Sequence, residues 1–211
     1  MGPQIDAVYL EGLFLGIGLF AAPGPKDTLV IRQGVSGGSI WGVVAICVLA
    51  DVVLIAVGVA GIGAMLSRRP ELVSVLLLSG AGYLLWFGGQ RLRACMRNES
   101  VPGTEHSGTS QRQLLQSALA LGFVNPYAWL DTVVLIGSIG GAKPAGQQIS
   151  FAGGAMTASL VWFVALAIGS GRLTTLFRSA QAWRLLDAGV GLLMAGLAGH
   201  LVLGLVRARG G

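Results

Sequence analysis

Apolar residues along this chain gather into six long runs, with polar residues mainly between them. Each run has about 18 residues or more, and about 20 residues of α-helix cross the ~30 Å hydrocarbon core of a membrane. The pattern therefore predicts an all-α integral membrane protein with six transmembrane helices. The predicted spans are residues 8–33, 40–66, 72–89, 114–140, 149–169 and 185–206.

Composition supports lipid as the solvent for most of the chain. Of the 211 residues, 54% are hydrophobic and 11% are charged, whereas a soluble domain carries about 25% charged residues. The net charge of +5 does not indicate a nucleic-acid partner, because the basic residues lie between the apolar runs rather than on one face of a soluble domain. The expected environment is the lipid bilayer.

A polar segment over residues 94–111 divides the chain into two halves, 1–93 and 112–211, each with three predicted spans. Because three is an odd number, the two halves must insert in opposite orientations. Counting Arg32 at the end of span one, eight arginines lie at or after the ends of spans one, three and five, against five basic residues on the other side. This places both termini outside by the positive-inside rule. No basic segment precedes the first run, which reads as a permanent span rather than a cleaved signal.

Four charged residues inside the predicted spans are candidate site residues: Lys26, Asp27, Asp51 and Asp131. A charge at mid-span costs roughly 2.5–3.5 kcal/mol on insertion scales, so each of these needs a partner or a water-filled cavity. One interpretation is a functional site near the middle of the membrane. The other is a buried Asp–Lys pair that only fixes helix packing.

Two helix breakers lie in the first span of each half. The first is Ala22-Pro23-Gly24-Pro25 and the second includes Asn125-Pro126, with Pro25 and Pro126 101 residues apart. Proline removes a backbone donor and clashes with the preceding turn. Breaks in corresponding positions favour two inverted three-helix repeats, each with a broken first helix and a site at the midplane. The alternative is a simple proline kink in each helix.

These features together describe a ligand with two charged ends. Bare N–H groups at the start of a half-helix suit a carboxylate. Asp51 and Asp131, with Asp27 nearby, suit an ammonium group, and an amino acid carries both. Because the four charges sum to −2, a basic amino acid is favoured. The predicted substrate-binding residues are Gly24, Pro25, Lys26, Asp27, Asp51, Asn125, Pro126 and Asp131.

An ordered set of motifs covers nearly the whole chain. It comprises Gly24-Pro25, Leu29 to Gly34, Ala50-Asp51-Val52, Tyr83 to Phe87, Asn125-Pro126, Leu130 to Val134, Ala158 to Phe163 and Trp183-Arg184. In this order they resemble the lysine exporter (LysE) family, in the lysine/arginine exporter branch.

The resemblance implies a six-span secondary transporter in the bacterial inner (plasma) membrane, with no ATP-binding domain and no enzymatic activity. It implies efflux driven by an ion gradient, with H+ as the expected coupling ion, and a homo-oligomer as a candidate assembly. It also adds Ser159 to the substrate-binding residues. No cofactor and no metal are expected.

The chain departs from this branch at one place. Where the branch usually has Gln-Asn after Gly-Pro, this chain has Lys26-Asp27. A free Lys26 would repel a cationic substrate, whereas a Lys26 paired with Asp27 or Asp51 would leave the cavity favourable to one. We expect the paired arrangement, because an unpaired lysine at this depth is costly.

Other classes of function need features that this sequence does not carry. A membrane electron carrier or enzyme would need paired cysteines or a His/Glu metal set, but Cys47, Cys95 and His200 lie apart. A non-transporting scaffold would not need midplane carboxylates. The sequence has no GxxxxGK phosphate loop for ATP. Export of neutral amino acids or another small metabolite stays open as an alternative to basic amino acids.

Overall fold

A computed structural model describes residues 3–21, 24–96, 110–172 and 179–210. These residues form helices joined by short turns, with no strand among them. The helices are α1 (Pro3–Phe20), α2 (Pro25–Val35), α3 (Trp41–Val57), α4 (Gly63–Ser67), α5 (Pro70–Met96), α6 (Gln111–Phe123), α7 (Pro126–Ala128), α8 (Gly137–Gly141), α9 (Gln147–Arg172) and α10 (Ala180–Gly210). Two π-helical turns, π1 (Gly58–Ile62) and π2 (Trp129–Ile136), join α3 to α4 and α7 to α8.

The helices provide four to six candidate membrane spans in the part of the chain that the structure describes. Four are continuous segments, and two are bent pairs that are long and apolar enough when each pair is taken as one span. The six predicted runs fall on these segments. The continuous ones are Trp41–Leu66, Pro70–Met96, Gln147–Arg172 and Gln181–Leu205, and the bent pairs are α1 with α2, at 74°, and α6 with the segment Pro126–Gly141, at 46°.

Both predicted helix breaks are confirmed. α1 ends at Phe20 and α2 begins at Pro25, while α6 ends at Phe123 and α7 begins at Pro126. Each proline is the first residue of its helix, a position where no backbone N–H is needed. At the second break the indole N–H of Trp129 donates to the Phe123 carbonyl at 2.7 Å. A polar group released by the break is thus bonded again within the protein.

The helices pack so that the two breaks meet in the interior. α1 lies along α9, α5 lies along α10, and α3 contacts both α6 and α9. Buried apolar residues of α9, such as Phe151 and Ala158, pack under α1. Large apolar side chains such as Phe14, Trp86 and Leu192 lie on the outside and are more than half exposed. This distribution suits a protein whose outer surface faces lipid.

Glycines allow one very close helix crossing between π1 and α8. A Cβ atom built on Gly137 of α8 would lie 2.6 Å from the Cα atom of Gly58 in π1. A Cβ atom on Gly58 would lie 2.9 Å from the Val133 carbonyl oxygen. Small residues let transmembrane backbones approach in this way. Gly82 of α5, by contrast, has nothing within 4 Å of its Cβ position.

We expect Gly137→Ala to destabilise the protein by about 1–3 kcal/mol, the usual cost of overpacking a tight contact. Gly82→Ala is the matched control, because it makes the same change on a helix where space is open. The measurement is thermal unfolding of both purified variants in detergent. Equal melting temperatures for the two variants would contradict the close crossing.

Candidate functional site

A small cavity lies where the two broken helices meet. Its wall includes polar residues from α2 and from the segment that starts at Asn125, together with apolar side chains of α1, α7 and α9. Its volume is about 30 Å³. Six of the predicted site residues line it: Gly24, Pro25, Lys26, Asp27, Asn125 and Asp131.

Asp51 lies behind this cavity, and both of its carboxylate oxygens accept hydrogen bonds within the protein. Its side chain is fully buried, Oδ1 accepts a hydrogen bond from the Lys26 ammonium, and Oδ2 accepts one from the Ser159 hydroxyl at 2.7 Å. The ammonium also faces the Phe163 ring, 5.5 Å from its centroid. The structure thus shows one of the two expected pairings of Lys26. Three helices, α2, α3 and α9, are joined at this point.

Asp27 holds the start of α2 in place. Its Oδ1 accepts the indole N–H of Trp162 at 2.7 Å, and its Oδ2 accepts the backbone N–H of Gly24 at 2.5 Å. A carboxylate in the first turn is also favoured by the helix dipole. Asp27 is buried, and both of its oxygens are used within the protein.

Asn125 caps the start of α7 in a similar way. Its Oδ1 accepts the backbone N–H of Tyr127 at 3.0 Å, and the side chain is 2% exposed. Asparagine is among the residues preferred at this position. Two backbone N–H groups at the helix breaks, those of Gly24 and Tyr127, are therefore bonded to side chains of the protein itself. Pro126 is the first residue of α7 and contributes no N–H.

Of the three carboxylates, Asp131 is the one bonded only by its own sequence neighbour. It lies in π2, lines the cavity and is partly exposed. Its Oδ1 accepts the Thr132 hydroxyl at 3.1 Å, and the Thr132 backbone N–H also bonds to the carboxylate, but no other described residue donates to it. Lys26 lies close enough for the two charges to interact. The carboxylate is thus positioned to receive a ligand.

The cavity is narrow in this conformation. A volume of about 30 Å³ holds a single water molecule and is too small for an amino acid. A larger ligand can enter only when the surrounding helices move apart. The bent pairs α1–α2 and α6–α7 border the cavity, so movement at either break would change its size.

A further buried carboxylate, Asp187, was missed by the sequence reasoning. It lies near the start of α10, inside the sixth predicted span, and is fully buried. Its Oδ1 accepts from Arg32 Nη2 at 2.6 Å and lies 3.8 Å from Arg91 Nη1. The criterion that identified Asp51, a charge inside an apolar run, also applies to Asp187. This cluster joins α2, α5 and α10 outside the cavity lining.

Comparison with known proteins gives a consistent set of matches. Residues 17–205 match the family model for LysE type translocators. The chain is 34% identical to the lysine exporter LysE of Corynebacterium efficiens, covering 93% of this chain and 98% of the relative. It is 35% identical to the arginine exporter protein ArgO of Serratia proteamaculans, covering 91% and 94% respectively. No solved structure matches.

Proposed function

Because the chain belongs to the family of LysE type translocators, we propose that it is a secondary active transporter that exports a basic amino acid, lysine or arginine, across the bacterial inner membrane. The observation that carries this proposal is the cavity at the two helix breaks, which is lined by Asp27, Asp131 and Lys26 with Asp51 behind it. These four charges sum to −2, and a cationic substrate would reduce that negative charge. Relatives named as lysine and arginine exporters favour the same substrate class.

The proposed architecture is two inverted repeats, residues 1–93 and 112–211, separated by the polar segment 94–111. Its support is the packing of the first span of each half on the second span of the other half. The first broken span packs through α1 on α9, the second span of the other half. The second broken span packs through α6 and α8 on α3 and π1, which again belong to the second span of the other half. A two-fold relation between the halves produces such reciprocal packing.

The proposed coupling ion is H+, and its proposed carrier is Asp131. Asp27 and Asp51 each accept hydrogen bonds on both carboxylate oxygens, so a proton on either would displace a donor. Asp131 faces the cavity, and among the described residues only its neighbour Thr132 donates to its carboxylate. A proton and a substrate ammonium group cannot bind this carboxylate together. Their competition would couple proton entry to amino-acid exit.

A neutral amino acid is the second candidate substrate. The observation that favours it is the Lys26 ammonium, which lines the same cavity and would repel a second cation placed near it. Apolar side chains of Leu19, Phe20 and Phe163 form another part of the wall. A small uncharged side chain could be accommodated against them.

Growth on toxic analogues tests the proposed function. The chain would be expressed in a bacterial strain that lacks its own basic-amino-acid exporters, on medium with canavanine or thialysine. We expect resistance to at least one analogue, because export lowers its internal concentration. Resistance to toxic analogues of neutral amino acids alone would favour the second candidate. No resistance to any of them, with the protein present in the membrane, would contradict amino-acid export.

A further inference from the structure

One cationic and one anionic side chain in the cavity wall have hydrogen-bonding capacity that the protein itself does not use up. An ammonium group has three N–H donors. Lys26 uses one of them on Asp51, and its ammonium faces the Phe163 ring, but the described residues offer no further hydrogen-bond acceptor. Lys26 nevertheless lines the cavity, with a side chain that is 11% exposed. Its remaining donors are available to a molecule in the cavity.

Asp131 provides the complementary group in the same cavity. Among the described residues only Thr132 donates to its carboxylate, and the charge of Asp131 interacts with that of Lys26. Other charged or titratable groups nearby are Asp27, Asp51 and the Tyr127 phenol, which come from α2, α3 and α7. Both carboxylates among these are already bonded on both oxygens. One free anionic acceptor and one cation with free donors therefore face the same space.

We propose that Lys26 binds the α-carboxylate of the transported amino acid and that Asp131 binds its α-ammonium group. This assignment rests on the proposed function, amino-acid export, and adds the mode of head-group recognition to it. Charge-assisted hydrogen bonds of this kind are stronger than those between neutral groups. The backbone N–H groups of Gly24 and Tyr127 are not needed as carboxylate receptors, because Asp27 and Asn125 already occupy them.

Asp51 has a positioning role in this arrangement. Its Oδ1 holds the Lys26 ammonium at the edge of the cavity, and Ser159 fixes its Oδ2. Asp51 thereby keeps a cation stable at this depth without itself reaching the substrate. If Lys26 served packing alone, removing its charge would leave recognition of the carboxylate unchanged. A recognition role and a packing role for Lys26 therefore predict different preferences for the carboxylate once the ammonium is removed.

The test compares an amino acid with the amine that lacks its carboxylate. Purified protein in liposomes would be assayed for uptake of radiolabelled arginine, with unlabelled arginine or agmatine as the competitor. In wild type we expect agmatine to compete about tenfold less well or worse, since a factor of ten corresponds to about 1.4 kcal/mol. Leucine and isopentylamine form the equivalent pair if the substrate is neutral.

Three variants test whether Lys26 causes the preference for a competitor that carries a carboxylate. Lys26→Gln removes the ammonium, and the double change Lys26→Gln with Asp51→Asn does so without leaving a buried carboxylate unpaired. In whichever of these variants folds, we expect the two competitors to differ by about twofold or less. Lys26→Arg keeps a cation and should retain most of the preference. The control is Lys143→Gln, which removes a lysine that is paired with Glu11 away from the cavity.

The outcomes distinguish the inference from the function on which it rests. Transport with an unchanged preference for the carboxylate in the Lys26→Gln or the double variant would overturn the assignment of Lys26 and leave amino-acid export standing. Equal competition by arginine and agmatine in wild type would overturn it as well. Absence of amino-acid transport by folded wild-type protein would overturn the proposed function and this inference together.

Discussion

Asp131→Asn should abolish amino-acid export while the protein still accumulates in the membrane. The carboxylate accepts hydrogen bonds from the neighbouring Thr132, so the change to an amide breaks no ion pair within hydrogen-bonding distance. It does remove the charge that would bind the substrate ammonium and the group that would carry the proton. Loss of one charge-assisted contact predicts at least about a tenfold reduction in the rate of efflux.

Efflux of a preloaded radiolabelled amino acid, normalised to the amount of protein in the membrane, measures this effect. Asp131→Glu is the matched variant, because it keeps the carboxylate and lengthens the side chain by one methylene. It should retain part of the activity and its dependence on a proton gradient. Efflux at the wild-type rate in Asp131→Asn would show that this residue carries neither the substrate nor the proton.

Much of this site was predictable from the sequence because lipid imposes strict conditions. A charge inside an apolar run needs a partner, and a proline inside a span kinks or breaks the helix. These two conditions identify Lys26, Asp27, Asp131 and both breaks from the sequence alone. The structure then brings six of the predicted residues to one cavity.

Hydrogen-bond partners were harder to predict, because they depend on how each helix is rotated about its axis. Ser159 and Trp162 of α9 lie 108 and 135 residues away from Asp51 and Asp27, the carboxylates that they bind. Sequence spacing does not specify this rotation. It also does not show that Asn125 turns its own side chain onto the Tyr127 N–H. The distinction between engaged and available groups therefore came from the structure.

The proposed internal repeat illustrates a different limit of sequence reasoning. The matched positions of Pro25 and Pro126 indicated two similar halves, but the spacing of two prolines carries no information on which helices touch. The packing of α1 on α9, and of α8 on π1, is a property of the folded protein. The six apolar runs, in contrast, were predictable because length and hydropathy alone determine which segments can cross a membrane.

Asp51→Asn should lower the free energy of unfolding by about 3–5 kcal/mol, the usual cost of removing one partner from a buried ion pair. The reason is that Lys26 would remain in the interior with an amide in place of its counter-ion. Ser159→Ala is the milder comparison, since it removes one neutral donor from the other oxygen of Asp51 and should cost about 1 kcal/mol.

The double variant Lys26→Gln with Asp51→Asn separates stability from transport. Two facing amides carry no net charge and can bond to each other, so the double variant should regain most of the stability that Asp51→Asn loses. Thermal unfolding in detergent for wild type, both single variants and the double variant gives the coupling energy of the pair. A double variant no more stable than Asp51→Asn alone would contradict the ion pair as the source of the effect. Export should remain impaired in the restored protein, because the ammonium that is proposed to bind the substrate carboxylate is still missing.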